Sequence, residues 1–343
     1  MAIPIWKDVI VNIGLVDTLF YRIVLADTSE VIYSGKAHTR PGADYNQVRI
    51  NDICADYLEN VIPMLPNETP AHSLPLTFYV QSSSDGNSWT NQGSYSFLND
   101  WSYNYDYDPT TMGMAFPING HLDSRMPVVW TGFGSSVVAS LVTGGSFIGD
   151  FNDDFNNDFL IGGSSGGSTS IEIPLIGGGS GLVGTAYLDL ADHPGTKGVV
   201  IGGVSYKVVT SCAEYALYYV NAFGGWDCFL IEGNTLEADN LKRYTREAVY
   251  DNRDIRHRGT YNYVNEIDKG FTFESGWLLN DQGKRMHHLI NSNLVYLYDI
   301  ADGKMIPVNI VNTTCEYKTY KNQGNRLVNY TIQVQVAQNR IRR

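Results

Sequence analysis

The run Val328-Asn-Tyr-Thr-Ile-Gln-Val-Gln-Val336 decides the fold class. Val328, Tyr330, Ile332, Val334 and Val336 alternate without a break against Asn329, Thr331, Gln333 and Gln335, which is the two-residue period of a strand with one apolar and one polar face. Upstream, Asn293–Ile300 and Lys304–Val311 are two apolar runs joined across Asp302-Gly303, where glycine supplies the positive φ of a tight hairpin turn. The three segments together read as an antiparallel meander. Its polar face, Asn329, Thr331, Gln333 and Gln335, carries no charge and is a candidate surface for meeting a neighbouring subunit. Beyond it lie Arg340, Arg342 and Arg343, a basic cluster on an acidic chain.

The 343 residues exceed one ordinary core, so two domains, or two and an insertion, are expected. Hydrophobic residues at 43% and charged residues at 17% describe a globular chain and not a disordered one. Met1–Gly14 has no basic start followed by an apolar core, so no export leader is expected. No apolar run approaches the roughly 20 residues of a membrane-spanning helix, the Gly-broken stretch Leu175–Leu188 coming nearest. A net charge of −12 disfavours direct nucleic-acid binding, because phosphate contacts draw on clustered Lys and Arg; the one loose basic group is Arg243, Arg246, Arg253, Arg256 and Arg258. Cys54, Cys212, Cys228 and Cys315 are far apart and form no CxxC pair, so free buried thiols are expected in place of a zinc site or disulfide framework.

Residues 1–110 read as an N-terminal β-rich domain. Asp8–Leu15, Leu19–Ala26, Val31–Ser34, Leu76–Ser82 and Ser94–Leu98 have strand character, with turns at Asp27–Glu30 and Asp85-Gly86. Val48–Glu59 reads as a short helix, with Ile53, Tyr57 and Leu58 at helical spacing and Pro63 forbidding continuation. Residues 111–200 form a Gly-, Ser- and Asp-rich zone with clusters at 144–146, 162–168 and 177–181; it is expected to be an arm or insertion, since glycine at that density weakens an ordinary packed strand. Residues 201–343 read as a C-terminal β domain that ends in the meander, with strands at Tyr206–Val209, Ala216–Tyr219 and Phe229–Ile231, a tight turn at Phe223–Asp227 and a short helix within Gly283–Asn291. Residues 239–270 fit either long strands or loops. The fold class is therefore mainly β, with two β-sandwich or barrel-like domains, a Gly-rich inserted arm and few short helices.

Few patterns carry chemistry. Asp150-Phe-Asn-Asp-Asp-Phe-Asn-Asn-Asp158 gathers oxygen ligands, but Phe151 and Phe155 interrupt the spacing and no Glu stands where a Ca²⁺ loop needs it, so a structural loop is favoured over a metal site. Trp101, Tyr103, Tyr105 and Tyr107 put four rings on one strand face, a candidate glycan-stacking or interface face. Neither HExxH nor GxxxxGK[ST] is present, and GxSxG spacing occurs only inside the Gly/Ser tract 162–167, where it reads as low-complexity sequence and not as a nucleophile elbow. No cofactor, metal or catalytic residue is expected, and the chain reads as a non-enzyme.

Several runs resemble structural proteins from the tails of bacteriophages and prophages, particularly those of gut Bacteroidetes. They are Val31-Ile-Tyr-Ser-Gly-Lys-Ala37, Arg40-Pro-Gly42, Ile50-Asn-Asp-Ile-Cys-Ala-Asp-Tyr-Leu58, Tyr218-Tyr-Val-Asn-Ala-Phe-Gly-Gly-Trp-Asp227, Met305–Ile310 and Tyr330–Val336. The resemblance is to distal-tail or baseplate-like proteins. It implies rings, commonly hexamers, of copies of the chain, partnered by other phage tail proteins and joining the tail tube to the tip or receptor-binding apparatus. It also implies a place in the virion tail, after assembly in the host cytoplasm. The Gly-rich middle departs from that pattern and keeps a neck or collar ring protein open, while the aromatic run keeps open a carbohydrate-binding, adhesin-like module.

Overall fold

A computed structural model describes residues 3–5, 7–14, 18–38, 45–61, 68–69, 72–98, 121–143, 167–247, 260–278, 280–312, 327–337 and 340–342. The protein is mainly β, with several multi-stranded sheets and two helices among the described residues. It divides into two compact units, each gathered from separate stretches of chain. The first comprises Met1–Phe116, Pro127–Val208 and Asn221–Asp227; the second comprises Pro117–Met126, Val209–Val220 and Cys228–Arg343.

In the first unit the early strands are β1 (Ile3–Pro4), β2 (Ile10–Asn12), β3 (Thr18–Leu25), β4 (Val31–His38), β5 (Gln47–Arg49), β6 (Leu76–Ser83) and β7 (Thr90–Leu98). Five of them form one sheet in the order β1-β7-β6-β3-β4, while β2 and β5 pair separately. Helix α1 (Asn51–Val61) presents Cys54 and Leu58, both fully buried, to the core of Ile23, Leu25, Phe78 and Phe97. Tyr57 meets Phe78 edge to face at 6.1 Å, the arrangement that ring quadrupoles prefer. The burial of Cys54 pushes its thiol up to about 12, so it acts as a small apolar side chain. Cys228 is buried likewise, whereas Cys212 is exposed, against the expectation of buried thiols throughout.

The glycine-rich sequence does not stand apart as an arm where it is described. After β8 (His121–Asp123, in the second unit), strand β9 (Pro127–Thr143) pairs antiparallel with β10 (Gly167–Asp189) along almost their whole length. On its other edge β9 pairs with β11 (Thr196–Ile201), which pairs in turn with β12 (Val204–Val209). These strands cluster with residues 1–116, so the expected boundaries at 110 and 200 are not where the described residues divide. The reason lies in what the glycines do. The β10 register shifts between Pro174 and Val183, and a Cβ on Gly178 would sit 2.2 Å from the Gly134 carbonyl oxygen. Glycine here lets a bulged strand come against its partner, which is a packing role and not a flexible one. Val183 then donates its N–H to the Leu74 carbonyl at 2.7 Å and packs with Leu74, Leu98 and Phe133.

The second unit is built on a sheet completed by β13 (Tyr215–Val220), β14 (Trp226–Leu230), β15 (Thr235–Glu247), β16 (Thr260–Glu274), β17 (Val295–Asp299), β18 (Lys304–Ile310), β19 (Thr331–Val336) and β20 (Arg340–Arg342). Its order is β14-β13-β17-β18-β19-β16-β15, with β20 beside β16. The meander is present as read. β17 pairs with β18 around a turn in which Gly303 has φ 65° and Asp299 Oδ1 accepts from the N–H groups of Ala301 and Asp302. Along the deciding run Val328, Tyr330, Ile332 and Val334 are buried while Thr331 and Gln333 are exposed. Helix α2 (Asn280–Ile290) turns fully buried Met286 and Leu289 onto the sheet's Leu217, Tyr219, Phe273, Leu297 and Ile332.

One buried carboxylate ties two of the second unit's three stretches, Pro117–Met126 and Val209–Val220, to each other. Asp123, with no exposed side chain, accepts at Oδ1 from Arg125 N and Nε (both 2.9 Å) and at Oδ2 from Arg125 Nη2 (2.8 Å), Ser211 N (3.0 Å) and Ser211 Oγ (2.7 Å). Arg125 Nη2 also donates to the carbonyls of Ser211 and Ala213, 3.0 Å each. Burial works to raise the Asp123 carboxyl, but the bonds from Arg125 and Ser211 outweigh it and hold it at about 2.

Two outcomes follow. Phe273→Ala, which opens a cavity under fully buried neighbours, lowers stability by about 3–5 kcal/mol in denaturant titration. Asp123 has a folded-state pKa below its unfolded value, so its contribution is complete above about pH 4 and fades as pH falls toward 2. Asp123→Asn therefore lowers the melting temperature at pH 7 by an amount worth on the order of 2 kcal/mol, and the difference from the native chain shrinks in melts run toward pH 2.

Candidate functional site

The polar face singled out in the sequence lies on β19, which sits between β18 and β16 with both backbone edges already paired. Asn312 reinforces that position: its Nδ2 donates to the Thr331 carbonyl at 2.9 Å, and its Oδ1 accepts from Gln333 N at 2.6 Å. The Thr331 and Gln333 side chains point to solvent, Gln335 and Asn329 are half-buried, and Asn329 Oδ1 accepts from Ser275 Oγ at 3.1 Å. The face is thus open in the single chain, while the strand's edge is closed by its own sheet. Trp101, Tyr103, Tyr105, Tyr107 and the acidic segment Asp150–Asp158 lie outside the described residues. Among the described residues no three His, Cys, Asp or Glu side chains are arranged to hold a metal ion, and no helix is long and apolar enough to cross a membrane.

The more prominent surface is one the sequence left undecided. Residues 235–247 and 260–274 are two long antiparallel strands, registered from Thr235 opposite Phe273 to Glu247 opposite Thr260. Strand β16 begins in solvent and ends in the core. Its last residues include Phe271 and Phe273, stacked on each other at 5.7 Å and packed on Tyr215 at 5.6 and 6.0 Å. Its first residues, Thr260–Tyr263, are exposed, and β15 is exposed from Leu236 to its end. The pair is therefore a ribbon rooted in the second unit's core and wet on both faces farther out.

Side chains stiffen the ribbon near its root. Glu237 takes Lys269 Nζ at 2.9 Å and the Tyr215 hydroxyl at 2.9 Å, and these two bonds hold its carboxyl below the usual range. Burial, then Glu237, pushes the Tyr215 phenol up to about 12. Lys242 Nζ reaches the buried Asp268 at 3.1 Å, and the Tyr244 hydroxyl donates to Glu266 at 3.3 Å. The ribbon nonetheless keeps apolar and aromatic side chains in water: Leu236 is 64% exposed, Tyr263 52% and Leu241 50%. Tyr244 and Tyr261 join them, with the rings of Tyr244 and Tyr263 6.4 Å apart. Large exposed side chains are thus gathered on both strands of the ribbon, at the edge of the sheet, where exposed apolar surface is commonly found at interaction sites. In the sequence Leu236, Leu241, Tyr244, Tyr261 and Tyr263 are spread among charges without a one-sided alternation, so no local period disclosed it.

No protein-family model matches the chain, and no curated protein is significantly similar to it in sequence.

If the polar face of β19 contributes only solvent-facing side chains, Gln333→Arg leaves the melting temperature of the isolated chain unchanged, equivalent to less than about 0.5 kcal/mol. Lys242→Ala, which removes the partner of a buried carboxylate, lowers it measurably in the same assay.

Proposed function

We propose that this chain is a structural protein of a phage tail that acts by forming an oligomeric ring, linking the tail tube to the tip or to the receptor-binding apparatus. The observation that carries this reading is the β15–β16 ribbon. A chain working alone gains nothing from holding Leu236, Leu241, Tyr244, Tyr261 and Tyr263 in water along the two strands of the ribbon, whereas a subunit of an assembly buries them against its neighbour. The resemblance of the quoted runs to distal-tail and baseplate-like proteins supports the place of that assembly in a virion. The open, uncharged Thr331 and Gln333 face supplies a second surface of the kind that neighbouring subunits cover. In this reading the chain is not an enzyme, and it works by position.

The test is the mass of the purified chain by size-exclusion chromatography with light scattering, together with immunogold electron microscopy of tail particles. Ring-shaped multimers, with label at one level of the tail, are expected. A strict monomer at high concentration that also fails to bind tail particles would overturn the reading.

A further inference from the structure

The two units carry very different charge. The first contains 7 Lys and Arg against 21 Asp and Glu, a net charge of −14, while the second contains 17 against 15, a net charge of +2. Within the second unit the positive charge concentrates on the outer ribbon. Lys242, Arg243 and Arg246 lie on the outer half of β15, Leu241–Glu247, whose one carboxylate is Glu247, while Glu237 and Asp239 lie nearer the root; in sequence, residues 248–259 contain Arg253, Arg256 and Arg258 against Asp251 and Asp254. Strand β20 pairs with Asn265–Ile267 and so brings Arg340 and Arg342 to the same strand. Lys242 is tied to Asp268, but Arg243 and Arg246 are exposed, and they stand opposite Asn265 and Tyr261, not opposite carboxylates. Arginine and tyrosine side by side is the composition that anchors protein interfaces.

The first unit offers the complement. Asp27 and Glu30 are exposed on the turn between β3 and β4, Asp27 Oδ2 lies 2.8 Å from His72 Nδ1, and Glu30 Oε2 accepts from the Tyr57 hydroxyl at 3.3 Å. Asp52 and Asp56 are exposed on α1. A contact between two first units would set −14 against −14, whereas a ribbon against a first unit joins opposite signs. That contact is between different surfaces, and a heterologous contact generates a ring when its rotation closes.

We propose that the outer ribbon, Leu241–Glu247 with Thr260–Val264, docks on the acidic first unit of a second copy of this chain in a head-to-tail contact; this rests on the ring reading above and names its interface. Charge selects the partner surface and speeds the encounter, and the exposed leucine and tyrosines supply the buried area.

The experiment is light-scattering chromatography of the native chain and of R243E/R246E and R243K/R246K at about 0.1 M and about 1 M salt, between which the Debye length falls from about 10 Å to about 3 Å. The native chain and R243K/R246K are expected to associate at the lower salt and to loosen at the higher, while R243E/R246E associates at least tenfold more weakly at an unchanged melting temperature. Because R243E/R246E keeps its acceptor surface, adding it to the native chain caps growth and yields smaller species. Y261S/Y263S, on the partner strand, gives an independent reading of the same surface should the arginine variant melt early. Native multimers that R243E/R246E and Y261S/Y263S both leave intact overturn the ribbon's role and leave the ring reading standing, as do native multimers indifferent to salt. A native chain monomeric at every concentration overturns both.

Discussion

Everything distinctive about the second unit depends on the pairing of one strand. Strand β16 is held along its buried half by β19 and by the packing of Phe271 and Phe273, and that anchorage lets its other half run out into solvent carrying β15 with it. An isolated two-stranded ribbon is marginal in water at best, because too little apolar surface is buried to offset the backbone entropy of ordering it. Here the entropy is offset at the root, where the sheet and α2 bury the apolar face. The outer half is ordered by continuity of the ladder and by side-chain ties such as Lys242 to Asp268 and Tyr244 to Glu266.

The electrostatics fit that architecture. Carboxylates are concentrated in the first unit, with 21 Asp and Glu against 7 Lys and Arg, while Arg243 and Arg246 stand exposed on the ribbon, so the molecule is charged unevenly. Charges on an exposed edge also keep it from pairing indiscriminately with other strands, which is how edges are commonly protected. Arg243 and Arg246, exposed on that edge, serve this end. The Asp123 clasp answers a different need. The second unit draws on three separate stretches of chain, and a fully buried carboxylate with five donors fixes two of them to each other.

The legible parts of the fold were those with a period. The alternation from Val328 to Val336, the Asp302-Gly303 turn and a helix within Val48–Glu59 each follow from local spacing; the structure has β19 at Thr331–Val336, the β17–β18 turn at Gly303 and α1 at Asn51–Val61, with Val48 and Arg49 on β5 before it. The Gly-rich stretch around 167–189 was misleading because glycine density is ambiguous: it marks flexible chain, and equally a bulged strand in which backbones touch, and only the proximity of Gly134 to Gly178 chooses between them. The ribbon was illegible for a related reason. Strands wet on both faces have no one-sided alternation to detect, and their order comes from a ladder whose root lies in another part of the sheet.

By itself the sequence determined the mainly β class, the meander with its buried and polar faces, the acidic balance and the position of the basic residues. Each is a property of neighbouring residues or of composition, and survives without knowing what packs where. The tertiary structure alone decided that residues 127–143 and 167–208 belong with the N-terminal strands, that Asp123 and Ser211 meet across 88 positions, and that Arg243, Arg246 and the tyrosines share one protruding ribbon. These are long-range pairings. Backbone hydrogen bonding makes any strand a partner for any other, so which strands meet is settled by burial of the whole core and not by the residues of either strand.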